Sequence, residues 1–482
     1  MKRTLVLLLV LSSTLTFLHG ADSTVFERTR ARMQHVLERT NPDGSVKINK
    51  QFRRWEWFWQ GRLNDDGTFP TPAHYQQELA KIQRSKPMDD VQAPKTWKEL
   101  GPTAPDLSGK NAEWNGIGRV NVVEFSRQNP NLMYAGAASG GLWKSTDGGS
   151  NWAPVNISII PVVGVSDVAV SAQDDKVIYV ATGDADAAIF GDFTGYPSFT
   201  YGIVKSTDGG LTWTQTKLSY DPSQGSLVAR LWVDPRDANV VVAATYGGMM
   251  RTTDGGETWT RTQNGVFRDL IGNPANPQIV YASTFSETGN ASIYRSTDNG
   301  VTWTQTFVIE EANRIRLAVT KANGNVVGAV ASRAFRFNGD ASANGLEGVY
   351  KSSDAGTSFE NLSTSLNLLH WNASGQGNGG QGFYDLAMEI SPTNANHIFV
   401  GGINIWRTTT NGQTWILSAH WTGDGAPWVH ADHHYFKFHP TLNRLFAGHD
   451  GGIARSTDQG ISWRDASNGL RIQQYYGLST SN

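Results

Sequence analysis

The chain has 482 residues, with 51 glycines, 17 tryptophans, no cysteine and a formal charge of −2. So little net charge, with no basic stretch or acidic tail, argues against a nucleic-acid partner, and the lack of cysteine excludes both a disulfide framework and a sulfur-linked lipid anchor. The length exceeds one ordinary domain, but a repeat stacked around a continuous core accommodates it.

Lys2 and Arg3 precede the apolar run Leu5 to Leu11, a stretch softened by Ser and Thr reaches Leu18, and the small residues Gly20 and Ala21 follow. This pattern predicts a secretory signal peptide over residues 1–20, cut after Gly20 or Ala21. It is too short and interrupted to span a bilayer, and no later segment carries the roughly 20 apolar residues a span requires. The expected product is secreted or held at the cell surface, in the periplasm or outside a Gram-negative type of cell. Residues 21–95 read as a helical segment and linker: Phe26 to Leu37 and Phe52 to Trp59 follow the helical period, and Pro87 and Pro94 end it.

From residue 96 to 470 one unit recurs. Gly141 to Trp152, ending Ser-Thr-Asp-Gly-Gly-Ser-Asn-Trp, returns at Gly202 to Trp213, Gly248 to Trp259, Ser292 to Trp303, Gly348 to Phe359, Asn404 to Trp415 and Gly452 to Trp463. The repeated acid is Asp147, Asp208, Asp254, Asp298, Asp354 and Asp458, with Thr410 in the sixth copy, so successive copies lie 61, 46, 44, 56, 56 and 48 residues apart. Each copy reads as a strand, a tight turn and a partner strand. The Asp carboxylate bonds amides of the turn, Gly supplies positive φ, and Trp buries a ring beneath it. Two further strand signals precede each copy, such as Val165 to Ser171 and Val177 to Thr182. Four strands per copy predict an all-β, seven-bladed propeller in which these six Asp residues are structural. Residues 471–482 read as an inner strand that closes the ring or opens a further blade.

These copies, close to Ser/Thr-x-Asp-x-Gly-x-Thr/Ser-Trp, resemble the Asp-box (BNR) propellers of sialidases, sortilin-type receptors and two-propeller xyloglucanases. With Gly118-Arg119-Val120, Val429 to His434 and Gly448 to Gly452, the chain is most similar to exported Bacteroidota glycosyl-hydrolase-like BNR proteins and sortilin N-terminal domain proteins. The resemblance implies extracellular glycan binding or hydrolysis, or protein binding. Sialidases carry a Phe/Tyr-Arg-Ile-Pro element that is missing here, where the nearest tetrapeptide is Asn313-Arg314-Ile315-Arg316, so sialidase activity is disfavoured.

In such propellers the boxed turns share one face, and ligands are sought on the other, where inner strands begin. The residue ahead of each inner apolar run is Arg119, Asp167, Arg230, Asp269, Arg316, Asp385 or His434, alternating in sign. As a ring they either pair with one another or line a binding pocket, together with Tyr384. Asp385, Asp432 and Asp450 are the candidate catalytic carboxylates. His430, Asp432 and His434 alternate, so a strand would point all three one way and admit a divalent metal, although the reading requires no cofactor. Asp184, Asp186 and Asp192, with Phe190, Phe193, Tyr196 and Phe199, predict an exposed loop suited to sugars or Ca²⁺, and His370-Trp371 with Trp421 to Trp428 add an aromatic rim. Three functions stay open: a propeller that binds extracellular glycans, with or without hydrolysing them, a sortilin-like protein or peptide-binding module without catalysis, and a scaffold whose upper face has no ligand. A monomer without nucleic-acid partners is expected in each case.

Overall fold

The computed structural model describes most of residues 24–69, positions 74, 77, 78 and 81, and residues 116–473 apart from 161–163, 187–199, 222–224, 335–340 and 363. Residues 1–20, expected to form a signal peptide, residues 474–482, Asp192 and the aromatic residues of its loop lie outside them. The chain divides into two compact units, residues 1–70 and 71–482. In the first, helices Val25–Leu37 and Lys50–Gln60 flank a short hairpin, Arg39–Thr40 with Val46–Lys47. Its core is aromatic, with Phe26 and Phe52 buried against Trp59, Leu63 and Phe69. Among the described residues no helix is long and apolar enough to cross a membrane.

The second unit is a seven-bladed β-propeller. Each blade is a four-stranded antiparallel sheet of consecutive strands, beginning with Val120–Phe125, Met133–Ala137, Gly141–Ser145 and Ala153–Val155. The inner strands of the later blades are Val165–Val170, Val228–Val233, Phe267–Gly272, Ala312–Val319, Ala387–Ile390 and His433–Phe438. Seven apolar clusters fill the seven interfaces between neighbouring blades, and the one joining the last blade to the first combines Val120, Val123 and Met133 with Phe446, Ile453 and Ile472. A sheet buried on both faces explains why second strands such as Met133–Ala137 and Val241–Thr245 carry almost no charge.

No strand is exchanged to close the ring among the described residues; side chains and a C-terminal strap do it. Trp152 of the first box donates Nε1 to the Ala466 carbonyl at 2.8 Å, and its amide bonds the Asn468 carbonyl at 3.0 Å. The strap then lies on Gly118, whose φ is +116° and where a Cβ would stand 2.2 Å from the Ile472 carbonyl oxygen. Only glycine meets both conditions.

The boxes behave as local staples. In the fourth blade Asp298 Oδ1 accepts the amides of Val301 and Thr302 and the Ser296 hydroxyl, while Oδ2 accepts the Thr302 hydroxyl at 2.6 Å. Asp147, Asp208, Asp354 and Asp458 repeat the two-amide pattern, and Asp254 takes the Thr258 amide and two hydroxyls. These turns link third to fourth strands, so the inner strands begin on the opposite face.

Candidate active site

Inner-strand register decides which residues share a level of the central channel. Val122, Asp167, Arg230, Asp269, Arg316, Ala387 and Tyr435 each pair with the fourth residue of their blade's second strand, and are therefore equivalent. The sequence-based ring of seven charges is thus corrected to four. Arg119, Asp385 and His434 stand three, two and one residues nearer the strand starts, on an upper level. Six inner strands carry a register shift near their start, between His433 and Tyr435 in the last blade. Such bulges re-aim side chains, and sequence spacing alone does not reveal them.

The four equivalent charges are buried and spend themselves on one another and on backbone. Asp167 Oδ2 accepts the Leu231 amide and Asp269 Oδ2 the Leu317 amide, both at 2.7 Å, so each ties its blade to the next. Arg316 reaches Asp269 at 3.1 Å and also donates to the carbonyls of Leu386 and His434. Arg230 lies 3.6 Å from Asp269, and its guanidinium faces the Tyr435 ring at 5.5 Å. Of the two readings of this ring, mutual pairing describes its geometry. Two residues further along the strands, Lys437 bonds Glu124, and burial lifts the Glu389 carboxyl to about 8.

The upper level holds the remaining charge. Arg119 bonds Asp184, which also accepts the Asn121 amide at 3.1 Å, and stacks over the Tyr384 ring at 5.2 Å. Asp186 lies 2.6 Å from Arg314 and 3.4 Å from Arg268, and Arg314 also donates to the carbonyls of Phe383 and Tyr384. The expected exposure of Asp184 and Asp186 is therefore a correction: both are buried counter-ions. Arg268 escaped the sequence reading because it precedes the charge chosen in its strand; its signal was the doublet Arg268-Asp269.

Above these pairs lie the three candidate carboxylates. Asp450 Oδ1 is 2.9 Å from His434 Nε2, and Tyr384 Oη donates to Oδ2 at 2.8 Å. The other ring nitrogen of His434 stands 3.3 Å from Asp186, and Tyr384 meets the imidazole edge-on at 4.8 Å. Burial works against the imidazolium, but the two carboxylates outweigh it and raise the pKa of His434. Asp450, 27% exposed, feels the same contest: burial would raise its pKa, while His434, Arg119 and Tyr384 bring it below the ordinary value.

Asp432 is pushed the other way. It sits at φ +66° just ahead of the last inner strand, beside Asp450, whose amide bonds the Asp432 carbonyl at 3.2 Å. Burial and the negative Asp450 raise its carboxyl to about 6. Asp385 is fully buried, no donor reaches its oxygens, and burial together with Asp432 holds its pKa well above the usual range. Gln381 Nε2 donates to Asp432 at 3.3 Å. The site thus combines a buried acid whose pKa is held well above the usual range, a partly exposed acid raised to about 6 and a carboxylate of lowered pKa oriented by a histidine and a tyrosine.

The expected alternation of His430, Asp432 and His434 does not occur, because the strand begins only at His433. His430 stacks on His449 at 5.9 Å with Nδ1 against the Ala431 carbonyl, while both nitrogens of His434 face carboxylates. These residues do not fit a metal, and among the described residues no group of three or more His, Asp or Glu side chains is placed to hold one. A cleft of about 780 Å³, lined by Arg333, Glu347, Asn361 and Asn367, belongs to the fifth blade and includes none of the three candidate carboxylates.

A family model described as photosynthesis system II assembly factor YCF48, of the BNR type, matches residues 198–342, from the second blade into the fifth. Over that span the repeats are of the BNR type, on a chain whose fold is a seven-bladed β-propeller. The chain is 31% identical over 144 residues to a xyloglucanase of Paenibacillus sp, a match covering 28% of the chain and 14% of that enzyme. The fold is similar to a GH74 enzyme of Niastella koreensis, with a TM-score of 0.51, 20% identity, and coverage of 75% of this chain and 55% of that one. It is also similar to a GH74 xyloglucanase of Xanthomonas campestris, with a TM-score of 0.53, 16% identity, and coverage of 73% and 55%. The propeller therefore spans about half the length of these solved enzymes and a smaller part of the curated relative.

Proposed function

We propose that the protein is an exported propeller that binds extracellular glycans on the face opposite its boxes and hydrolyses their glycosidic bonds. The observation that carries this reading is the pair Asp432 and Asp450, adjoining and partly exposed carboxyls whose proton affinities are driven apart. Glycoside hydrolysis needs such a pair, one carboxyl protonated to deliver a proton to the leaving oxygen and one ionised to act at the anomeric carbon or on water. Asp432 is the acid and Asp450 the ionised partner. Tyr384 and His434 orient Asp450, and Asp385 is a positioning residue behind Asp432. Similarity to a protein named xyloglucanase supports a glycan as substrate class.

The test is release of reducing ends from a polysaccharide panel across pH. Turnover is expected to fall above about pH 6, as Asp432 loses its proton, and again at acid pH, as Asp450 gains one. Asp432→Asn and Asp450→Asn should each lower kcat by about 10²- to 10⁴-fold with circular dichroism unchanged. A panel without cleavage at any pH overturns hydrolysis, and capture of a peptide by the wild type alone would favour the non-catalytic, peptide-binding alternative.

A further inference from the structure

Trp371 leaves 56% of its surface in solvent, yet its backbone carbonyl is held by three side chains. Its carbonyl accepts the buried Asn404 Nδ2 at 3.1 Å, His420 Nε2 at 3.1 Å and Trp421 Nε1 at 3.2 Å. The tautomer of His420 follows from its other nitrogen: Nδ1 receives the amides of Thr422 and Asp424, so Nε2 carries the proton and donates. Asn404 closes the arrangement by accepting the Trp421 amide on Oδ1 at 3.2 Å. His370 packs on the indole at 5.2 Å and is itself wedged by Gly377, where a Cβ would stand 2.6 Å from the imidazole.

A single exposed tryptophan is ordinary. An exposed indole whose backbone is held by three donors and whose ring rests on a wedged imidazole has part of its ordering cost met before any ligand arrives. The two loops that build this clamp are also the two that deliver the carboxylates: residues 362–386 run from Trp371 to Asp385, and residues 420–432 from the clamp to Asp432.

We infer that Trp371 is a stacking platform for a pyranose ring with equatorial hydroxyls, one unit of a gluco- or xylo-configured chain that runs outward from the carboxylates over the sixth blade. The inference rests on the glycan reading above. A pyranose with equatorial hydroxyls turns its axial C–H bonds toward both ring faces, where their partial positive charge meets the negative face of the indole. A galacto-configured ring carries an axial hydroxyl that spoils one of these faces.

The test is affinity electrophoresis of the full chain in gels containing hydroxyethyl cellulose or a β-1,4-galactan. Retardation is expected in the glucan gel and much less in the galactan gel. Trp371→Ala should weaken glucan binding about tenfold and Trp371→Phe distinctly less, whereas Leu211→Ala, an exposed residue of a boxed turn, should leave it unchanged. If Trp371→Ala migrates as the retarded wild type does, the platform is wrong while the cleavage assay still decides the hydrolase reading. If the wild type is not retarded by glucan, the platform falls as well, again without prejudice to the cleavage result.

Discussion

On the boxed face Asp298 accepts four hydrogen bonds, two from amides and two from hydroxyls; burial would raise its pKa, but these donors bring it below the ordinary value. On the opposite face Asp385 accepts no donor at all, and Asp432 shares its surroundings with two other carboxyls. One residue type, on one scaffold, is fully satisfied at one rim and left frustrated at the other. Satisfied carboxylates stabilise turns and are inert as acids, whereas carboxyls kept protonated near neutral pH hold protons they can give away. A structural rim and a chemical rim can therefore be told apart by counting donors.

The comparison breaks most visibly at Asp186, the counter-ion beneath the chemical rim. Asp186→Asn leaves Arg268 and Arg314 buried without their shared carboxylate, and His434 loses one of its two acidic partners. Removing one partner of a buried ion pair costs about 3–5 kcal/mol, so the urea midpoint should drop sharply, or the variant should fail to fold. An unchanged midpoint would mean that solvent reaches these arginines and that the upper level is not the sealed base described above.

A smaller effect sharpens the same contrast. Asp432 titrates at about 6 in the folded chain and at about 4 when unfolded. Between those values the folded state holds a proton that the unfolded state has released, so stability falls as pH rises through this window, by up to about 3 kcal/mol. Asp432→Asn should make that slope shallower in thermal melts between about pH 4 and 6, the raised carboxyls of Asp385 and Glu389 supplying the rest, and make the protein more stable at neutral pH. Asp450 carries the opposite sign: its lowered pKa adds stability above the ordinary carboxylate range, lost as pH falls. A wild type whose melting temperature rises from about pH 4 to 6 would contradict the raised pKa of Asp432.

How far the sequence reaches depends on how local each interaction is. The boxes were legible because Asp298 bonds groups no more than four residues away, and the seven copies fix the blades. The channel was legible only in part. Asp167, Arg230, Asp269 and Arg316 do share a level, but a bulge between His433 and Tyr435 displaces His434, and Asp385 lies ahead of a strand that begins only at Ala387, offsets no spacing reveals. Asp184 and Asp186 read as exposed because their partners, Arg119 and Arg314, lie 65 and 128 residues away. The cluster of Asp385, Asp432 and Asp450 was anticipated as a set, since all three stand where loops enter or leave inner-blade strands. Which of them keeps its proton depends on His434, Tyr384 and burial, and needed coordinates.

The smallest expected effect lies where the structural rim departs from its own rule. In the sixth blade Thr410 replaces the box acid, and its single hydroxyl oxygen accepts the Thr414 amide at 3.0 Å while pairing with the hydroxyls of Thr408 and Thr414. A neutral one-oxygen acceptor covers one turn amide where Asp298 covers two. Thr410→Asp would supply the second oxygen and a negative charge near Lys351, which already bonds Asn396 and Asn411 of this blade. The gain should be about 0.5–1 kcal/mol, the scale of a capping interaction, against a loss of about 1–2 kcal/mol for Asp298→Ala. Both are read from the midpoint of urea unfolding at constant slope. Should Asp298→Ala cost no more than Thr410→Ala, the acid adds nothing over a hydroxyl in these turns, and the division into a satisfied rim and a frustrated one loses its structural half.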